Sequence, residues 1–321
     1  MRALLLHRTG ALPEYTEHPA PVPDRGESLV RLKAAALNHR DLFICRGLYA
    51  GIKLPCILGS DGAGVCEGRE VLIYPARAWG RAKTHQGPEF RVLGMPDQGT
   101  FAEWIAAPKS ALYPKPTHLN MAEAAALPLA GLTAWRALTT QGQLRSGQKT
   151  LITGIGGGVA LIAMQLALAA GAKVWVTSGD DAKIERAQSM GASGGANYRR
   201  DDWATQLKEA GAFDLIIDSA GGDGFAALPA LAAPGGRIVT YGGTLGKING
   251  LSPQIIFWKQ LSIVGSTMGS PVDFKKMLEF VERHQIKPVV EAIIPMSEGA
   301  AAFNLLQSGT QFGKIVLDID R

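Results

Sequence analysis

A glycine-rich turn between an apolar strand and an apolar helix constrains this chain more than any other feature. Residues 150–160 are Thr-Leu-Ile-Thr-Gly-Ile-Gly-Gly-Gly-Val-Ala, and the helical pattern continues to about Ala170. Glycines let the backbone turn sharply and approach a pyrophosphate, while the helix offers unpaired N–H groups and its positive dipole end. Strand, glycines and helix in this order therefore predict a dinucleotide-binding turn.

The next strand predicts which dinucleotide is bound. It runs over 173–177 and ends at Ser178, with Lys183 one turn later, where NAD-binding sites usually carry an acidic residue. A hydroxyl and a cation suit a 2′-phosphate, so the sequence favours NADP(H). Asp180 and Asp181 leave an alternative open, because either could bind a ribose or simply begin the following helix.

Composition indicates a soluble protein of two domains. The chain has 321 residues, 46% hydrophobic and 19% charged, with a net charge of +5. No segment is long and apolar enough to span a bilayer, and no secretory signal is evident. Three cysteines without a Cys-x-x-Cys motif favour a reducing cytoplasm. The basic residues are scattered and match no nucleic-acid motif, so neither nucleic acid nor membrane is an expected partner.

The pattern of elements predicts an α/β protein. Short strands are expected at 28–37, 62–66, 70–74 and 101–106, which is typical of a β-rich domain. Strands at 149–153, 173–177, 213–218, 236–241 and 261–265 alternate with helices, as in a doubly wound parallel sheet. We therefore expect a β-rich domain over 1–120, a Rossmann domain over 121–265, and a segment over 266–321 that returns to the first domain.

Several motifs together resemble the medium-chain dehydrogenase/reductase family, in particular its zinc-free, quinone-reductase-like branch. They are Ala36-Leu-Asn-His-Arg-Asp41, Gly59-Ser-Asp-Gly-Ala-Gly64, Ala130-Gly-Leu-Thr-Ala-Trp135, Gly156-Gly-Gly-Val-Ala160, Gly235-Gly-Arg-Ile-Val-Thr240 and Gly313-Lys-Ile-Val316. The resemblance covers nearly the whole chain. It implies a GroES-like, β-rich catalytic domain with an inserted Rossmann domain.

The same resemblance implies that no metal is bound. Zinc members of the family use Cys, His and Cys ligands, whereas the matching positions here are Asn38, Ser60 and Ala130. Asp61 persists beside them, but one carboxylate does not hold zinc. The stretch 76–98, which corresponds to the structural zinc lobe of those relatives, contains no cysteine.

Substrate-pocket residues also come from the resemblance. Asn38 and Tyr49 are the candidate catalytic donors to a carbonyl oxygen, and Phe43 is a candidate apolar wall. The alternatives are a turn residue for Asn38 and a surface aromatic for Tyr49. His39 is a weaker candidate for a proton source, and Arg40 with Asp41 is expected to form a structural ion pair.

Cofactor contacts are expected from the glycine turn, from the ends of the Rossmann strands and from the tail. The candidates are Thr133, Gly154, Gly156, Gly157, Gly158, Val159, Ser178, Lys183, Tyr198, Ser219, Gly242, Gly243, Thr244, Met268, Gly269 and Lys314. Tyr198 could instead be a half-buried strand aromatic, and Lys314 a solvated surface lysine.

Without a metal, the chemistry has to come from the cofactor. The resemblance implies an NADPH-dependent reductase of a quinone or an activated alkene such as an enal or enone. Two alternatives stay open: an alcohol or aldehyde dehydrogenase without zinc, and a non-catalytic NADPH-binding protein that could bind RNA. The apolar stretch 250–260 and the habit of relatives also suggest a homodimer.

Overall fold

The computed structural model describes residues 1–320, which divide into two compact units. Of these residues, the first unit comprises 1–132 and 270–320, and the second comprises 133–269. In chain order the strands are β1 (Arg2–Leu6), β2 (Glu14–Glu17), β3 (Glu27–Ala36), β4 (Cys56–Ile57), β5 (Asp61–Cys66), β6 (Arg69–Ile73), β7 (Ala76–Arg77), β8 (Arg91–Leu93), β9 (Pro96–Asp97), β10 (Trp104–Pro108), β11 (Leu112–Pro114), β12 (Lys149–Ile152), β13 (Lys173–Ser178), β14 (Gly194–Asn197), β15 (Phe213–Asp218), β16 (Ala232–Thr240), β17 (Ser262–Gly265), β18 (Val290–Pro295) and β19 (Lys314–Asp318).

The helices alternate with strands mainly in the second unit. They are α1 (His39–Cys45), α2 (Met121–Ala125), α3 (Pro128–Trp135), α4 (Gly158–Ala169), α5 (Asp181–Ser189), α6 (Trp203–Glu209), α7 (Leu228–Leu231), α8 (Pro253–Trp258), α9 (Pro271–His284) and α10 (Gly299–Ser308). A π-helical segment, Arg136–Gln141, continues α3. Among residues 1–320, no helix combines the length and the apolar composition needed to cross a membrane.

The larger sheet of the first unit brings the two ends of the chain together. Its strand order is β11-β6-β5-β3-β19-β18, and β10 also pairs with β3. Side chains of β3 alternate between buried and exposed up to Lys33, as expected for a strand with one face on the core. The tail strand β19 pairs antiparallel with β3, so that Val316 lies opposite Ala36. The tail strand is therefore part of the first unit's larger sheet.

The second unit is a six-stranded parallel sheet, with the order β14-β13-β12-β15-β16-β17. Every pairing in it is parallel, and α4 is buried along most of its length because its residues are apolar or small. The predicted Rossmann architecture is confirmed. Strand β14 is absent from the sequence prediction, since Gly194 and Gly195 give it low strand propensity.

The unit boundaries lie later in the chain than the predicted ends at residues 120 and 265. Helix α2 packs against β3 and β5 of the first unit. The backbone N–H of Leu129 also donates to the Asp61 carboxylate, 2.6 Å away. These contacts explain why residues 121–132 belong to the first unit, although they are helical and the sequence placed them in the Rossmann domain.

Candidate functional site

The glycine turn of the second unit contains glycines of two kinds. Gly154 and Gly156 have φ values of +70° and +112°, a region that residues with a Cβ rarely adopt. Gly157 is the N-cap of α4 and has an ordinary φ of −74°. A Cβ on Gly157 would approach only the carbonyl oxygen of Gly154, at 3.6 Å. The fold itself therefore does not require glycine at 157, and the missing side chain leaves room beside the first turn of α4.

Strand β13 holds this turn in place. The N–H of Ile155 donates to the Thr177 carbonyl at 2.7 Å, and the N–H of Gly154 donates to the Thr177 hydroxyl at 3.3 Å. The Lys183 side chain lies against Gly156, because a Cβ on Gly156 would come within 2.8 Å of Lys183 Cδ. The predicted Lys183 is thus brought next to the predicted glycines.

Ser178, Gly179 and Tyr198 form a second small surface at the end of β13. Ser178 is buried, and its hydroxyl accepts from the N–H of Asp180 at 3.2 Å. The N–H of Tyr198 donates to the Ser178 carbonyl at 3.0 Å. The Tyr198 side chain is 45% exposed, and its hydroxyl would lie 2.9 Å from a Cβ on Gly179. Tyr198 follows β14 and is more exposed than a half-buried strand aromatic would be.

Both aspartates after β13 serve helix α5. Asp180 is its N-cap, and its carboxylate accepts from the N–H of Ala182 at 3.0 Å. Asp181 lies in the first turn and pairs with the Arg200 guanidinium at 2.9 Å and with the Asn197 amide at 3.1 Å. The interpretation that these residues begin a helix is confirmed.

Arg199 is a site residue that the sequence analysis missed. Its Nε atom would lie 2.8 Å from a Cβ on Gly179, so it shares this surface with Tyr198. Within residues 1–320 its guanidinium has no ion-pair partner, whereas the adjacent Arg200 pairs with Asp181. The arginine pair after Tyr198 was a visible signal, but without β14 in the prediction its position could not be inferred.

The buried carboxylate of Asp218 links the ends of neighbouring strands. Asp218 accepts from the hydroxyl of Thr153 at 2.9 Å, from the N–H of Gly221 at 2.9 Å and from the hydroxyl of Thr240 at 3.4 Å. Burial raises the pKa of this carboxyl, and the hydrogen bonds oppose that rise. The N–H of Ser219 donates to the same Thr153 hydroxyl at 3.2 Å. Asp218 therefore connects β12, β15 and β16.

Most of the remaining predicted cofactor residues of the second unit follow strand ends, whereas Thr133 lies on α3. Gly242, Gly243 and Thr244 are exposed and follow β16 after one intervening residue. Thr133 is buried, and its hydroxyl lies 3.9 Å from the Met268 sulfur. Two residues predicted separately as cofactor contacts thus lie side by side, with Gly269 next in sequence.

Asn38 in the first unit is surrounded by charged and polar groups. Its side-chain N–H donates to Asp61 at 2.9 Å, and its backbone N–H donates to Asp41 at 2.8 Å. Its side-chain oxygen accepts from the Lys314 ammonium at 2.7 Å. Burial raises the pKa of Asp41 to about 6, against the opposing effect of Arg40.

Lys314, which the sequence predicts as a cofactor contact, is buried and bonded within the first unit in this structure. The side chain is 4% exposed, and the ammonium donates to the Leu37 carbonyl, Asn38 and Asp61 at 2.7, 2.7 and 2.9 Å. An ammonium has three N–H groups, and all three are used. The alternative interpretation, a solvated surface lysine, is wrong because the side chain is buried.

Arg40 connects Tyr49 to the rest of the first unit. Its guanidinium lies 5.1 Å from the centre of the Tyr49 ring, a cation–π arrangement. It donates to the Ser60 hydroxyl and the Leu93 carbonyl, each at 2.7 Å. The predicted Arg40–Asp41 ion pair is wrong, because each side chain is hydrogen-bonded to other groups. Tyr49 is 38% exposed, and its hydroxyl has no hydrogen-bond partner in the described chain. Phe43 is half-buried on α1.

The residues at the positions of the family's zinc ligands do not fit that metal. Ser60 donates to the Leu93 carbonyl at 2.7 Å, Ala130 has no donor side chain, and Asp61 is already bonded to Lys314. Over residues 1–320, no group of three or more His, Cys, Asp or Glu side chains is arranged to hold a metal ion. The buried thiols of Cys45 and Cys56 are not ready ligands either, since burial raises the pKa of each to about 12.

The fold and the glycine turn define a nucleotide-dependent oxidoreductase, and comparison with known proteins agrees. Residues 24–117 match the alcohol dehydrogenase GroES-like domain, and residues 158–283 match the zinc-binding dehydrogenase family. The chain belongs to the medium-chain dehydrogenase/reductase family.

Three relatives illustrate the range of that family. A zinc-type alcohol dehydrogenase-like protein, YogA, from Leptosphaeria maculans is 35% identical and matches 93% of this chain and 92% of its own. The structure of an NAD-dependent alcohol dehydrogenase is 35% identical with a TM-score of 0.94, covering 99% of this chain and 100% of that one. The quinone oxidoreductase of Thermus thermophilus, solved also with NADPH, is 29% identical with a TM-score of 0.84 and the same two coverages.

Proposed function

We propose that this oxidoreductase is a metal-free, NADPH-dependent reductase that transfers hydride to a quinone or to an activated alkene such as an enal or enone. The observation that carries this proposal is the surface at the end of β13, where Tyr198 and Arg199 lie over Gly179 beside Ser178, and Arg199 forms no ion pair with any of residues 1–320. The relatives include NAD-dependent and NADPH-bound proteins, so the proposed cofactor depends on the residues of this chain.

Charge supports NADPH over NADH. The Asp180 carboxylate caps α5 and the Asp181 carboxylate is paired with Arg200, so both already have partners within the chain. An unpaired guanidinium, a phenol and a serine hydroxyl are suitable donors to a 2′-phosphate. Gly157 and the N-terminus of α4, a twelve-residue helix, suit the pyrophosphate of the same molecule.

The substrate class follows from which donors are available. NADPH supplies the hydride, and the protein has to bind the acceptor and stabilise the oxygen on which negative charge gathers. The unpartnered Tyr49 hydroxyl can donate to such an oxygen, and Phe43 offers apolar surface on the same short segment. Quinones, enals and enones all carry an oxygen conjugated to the carbon that accepts hydride. They need less help from a metal than an alcohol does, because alcohol oxidation requires an alkoxide.

An alcohol dehydrogenase is the second candidate, favoured by the names of the two relatives that are 35% identical. Against it stands the donor set around Asp61, which does not fit zinc. Oxidation of an alcohol panel with NADP⁺ or NAD⁺ distinguishes the two candidates.

We also propose a cytoplasmic homodimer. Helix α8 has no buried residue, and Phe257 and Trp258 are 58% and 79% exposed. Strand β17 beside it pairs only with β16. Light scattering during size-exclusion chromatography is expected to give twice the chain mass, and Trp258→Lys is expected to give a monomer.

The cofactor assignment is tested by fluorescence titration with NADPH and NADH. The wild type is expected to bind NADPH at least tenfold more tightly, since charge-assisted hydrogen bonds contribute about 1.5–3 kcal/mol each. Arg199→Ala should remove most of that difference, because it weakens the binding of NADPH and leaves the binding of NADH unchanged. Arg200→Ala is the matched control, because its guanidinium is already paired with Asp181. Equal or reversed affinities in the wild type would overturn the assignment.

A further inference from the structure

The first unit contains a buried ion pair between Lys314 and Asp61, which the sequence analysis did not predict. Lys314 is 4% exposed and Asp61 is fully buried, with the ammonium 2.9 Å from the carboxylate. The other carboxylate oxygen accepts from the backbone N–H of Leu129. Every N–H of the ammonium and both oxygens of the carboxylate are therefore bonded within the unit.

The ion pair fixes the orientation of the Asn38 carboxamide. Its oxygen faces the Lys314 ammonium at 2.7 Å, and its nitrogen faces the Asp61 carboxylate at 2.9 Å. The flipped amide would place the NH₂ group against the ammonium and the oxygen against the carboxylate, so electrostatics excludes it. One amide N–H is thus bonded to Asp61, and the other makes only a long contact of 3.5 Å with the Ala36 carbonyl.

We propose that the Lys314 ammonium serves as the fixed cation of this site, and that Lys314 and Asp61 are positioning residues for Asn38. The amide N–H that makes only the long contact is the one available to donate to a substrate oxygen. An ammonium on the amide oxygen polarises the group and strengthens that donor. The part of this inference that concerns a substrate rests on the proposed function.

The same arrangement excludes a divalent cation. A metal at Asp61 would have to displace an ammonium that makes three hydrogen bonds, and like charges repel strongly in a buried setting. Neither Ser60 nor Ala130 offers the soft or nitrogen ligand that could compensate for this loss. The chain therefore carries its own cation at this position.

Metal exclusion is tested with Zn²⁺ alone. Zn²⁺ is titrated calorimetrically into the apoproteins of the wild type and of Asp61→Asn. No saturable binding that depends on Asp61 is expected. Stoichiometric zinc that is lost in Asp61→Asn would overturn the inference.

The positioning role is tested by two variants. Lys314→Met leaves a buried, unpaired carboxylate, so it is expected to lower both stability and turnover. The double variant, which adds Asp61→Asn, leaves no unpaired charge and should recover stability, while its kcat on a quinone stays about tenfold below wild type because the amide is no longer oriented. NADPH affinity should not change in either variant. Lys276→Met, on the exposed face of α9, is the matched control.

The outcomes separate the two proposals. Recovery of wild-type kcat in the double variant would make Lys314 purely structural and contradict the positioning role. No turnover by the wild type on any quinone or enone would refute the proposed function. In that case the stability measurements alone still decide the ion pair: if Lys314→Met is as stable as wild type, the fixed-cation inference fails.

Discussion

The polar groups around Asn38 in the first unit bond to one another, whereas those at the end of β13 in the second unit are left open. Asn38, Asp61 and Lys314 use nearly every donor and acceptor on internal partners. Tyr198 and Arg199, by contrast, lie on the surface, and Arg199 has no ion-pair partner within residues 1–320. The first arrangement suits the fixing of a single side chain, and the second suits the binding of a charged ligand. Substitutions around Asn38 should accordingly change stability, and substitutions at the end of β13 should change ligand affinity.

The largest expected effect concerns cofactor binding at Gly157 in the second unit. Gly157→Val should weaken NADPH binding about 100-fold or more, because a Cβ in front of α4 disturbs at least two hydrogen bonds to a charged group. Folding should be unaffected, since φ is −74° and the nearest atom to the new Cβ is at 3.6 Å. Titration and thermal unfolding measure the two quantities. Gly224→Val, where a Cβ meets nothing within 4 Å, is the control. Undiminished affinity would show that the turn does not bind the pyrophosphate.

The next effect concerns the closed network of the first unit. The pKa of Asp41 is raised from 3.8 to about 6, so the folded state binds this proton more tightly than the unfolded state does. Asp41 therefore stabilises the fold below about pH 4, and this contribution is lost as pH rises through 6. Asp41→Asn should remove up to about 3 kcal/mol of that pH dependence.

Denaturant unfolding at a series of pH values measures the Asp41 effect. The exposed carboxylate of Asp24 provides the control, Asp24→Asn. If Asp41→Asn loses stability between pH 4 and 6 as steeply as wild type, the buried carboxyl does not titrate as the structure implies.

The smallest expected effect concerns Tyr49, whose hydroxyl has no hydrogen-bond partner in the described part of the first unit. Tyr49→Phe removes only the unpartnered hydroxyl, so stability and NADPH affinity should stay the same. Turnover on a quinone or enone should fall about tenfold, less than the loss of a full oxyanion-hole donor, because the acceptor is electron-poor. Tyr15→Phe is closely matched, since Tyr15 is 37% exposed and lies under Arg2 at 5.8 Å. Unchanged kinetics on every substrate would make Tyr49 a surface aromatic.

What the sequence predicted well was local. The turn from Gly154 to Gly158, the strand before it and the helix after it depend on neighbouring residues, and all three lie where expected. The partners of Lys314 depend instead on β19 pairing with β3, nearly the length of the chain away, and no local pattern encodes that contact. Arg199 was missed for a related reason, because the glycines of β14 hid the strand that positions it.

The central claim is tested most directly by NADPH oxidation with a panel of quinones, enals and enones, after dialysis against a chelator and elemental analysis for zinc. The account predicts turnover that persists without metal, that prefers NADPH over NADH, and that exceeds any oxidation of alcohols with either oxidised cofactor. Stoichiometric zinc, activity that is lost to the chelator and restored by zinc, or activity on alcohols alone would contradict it.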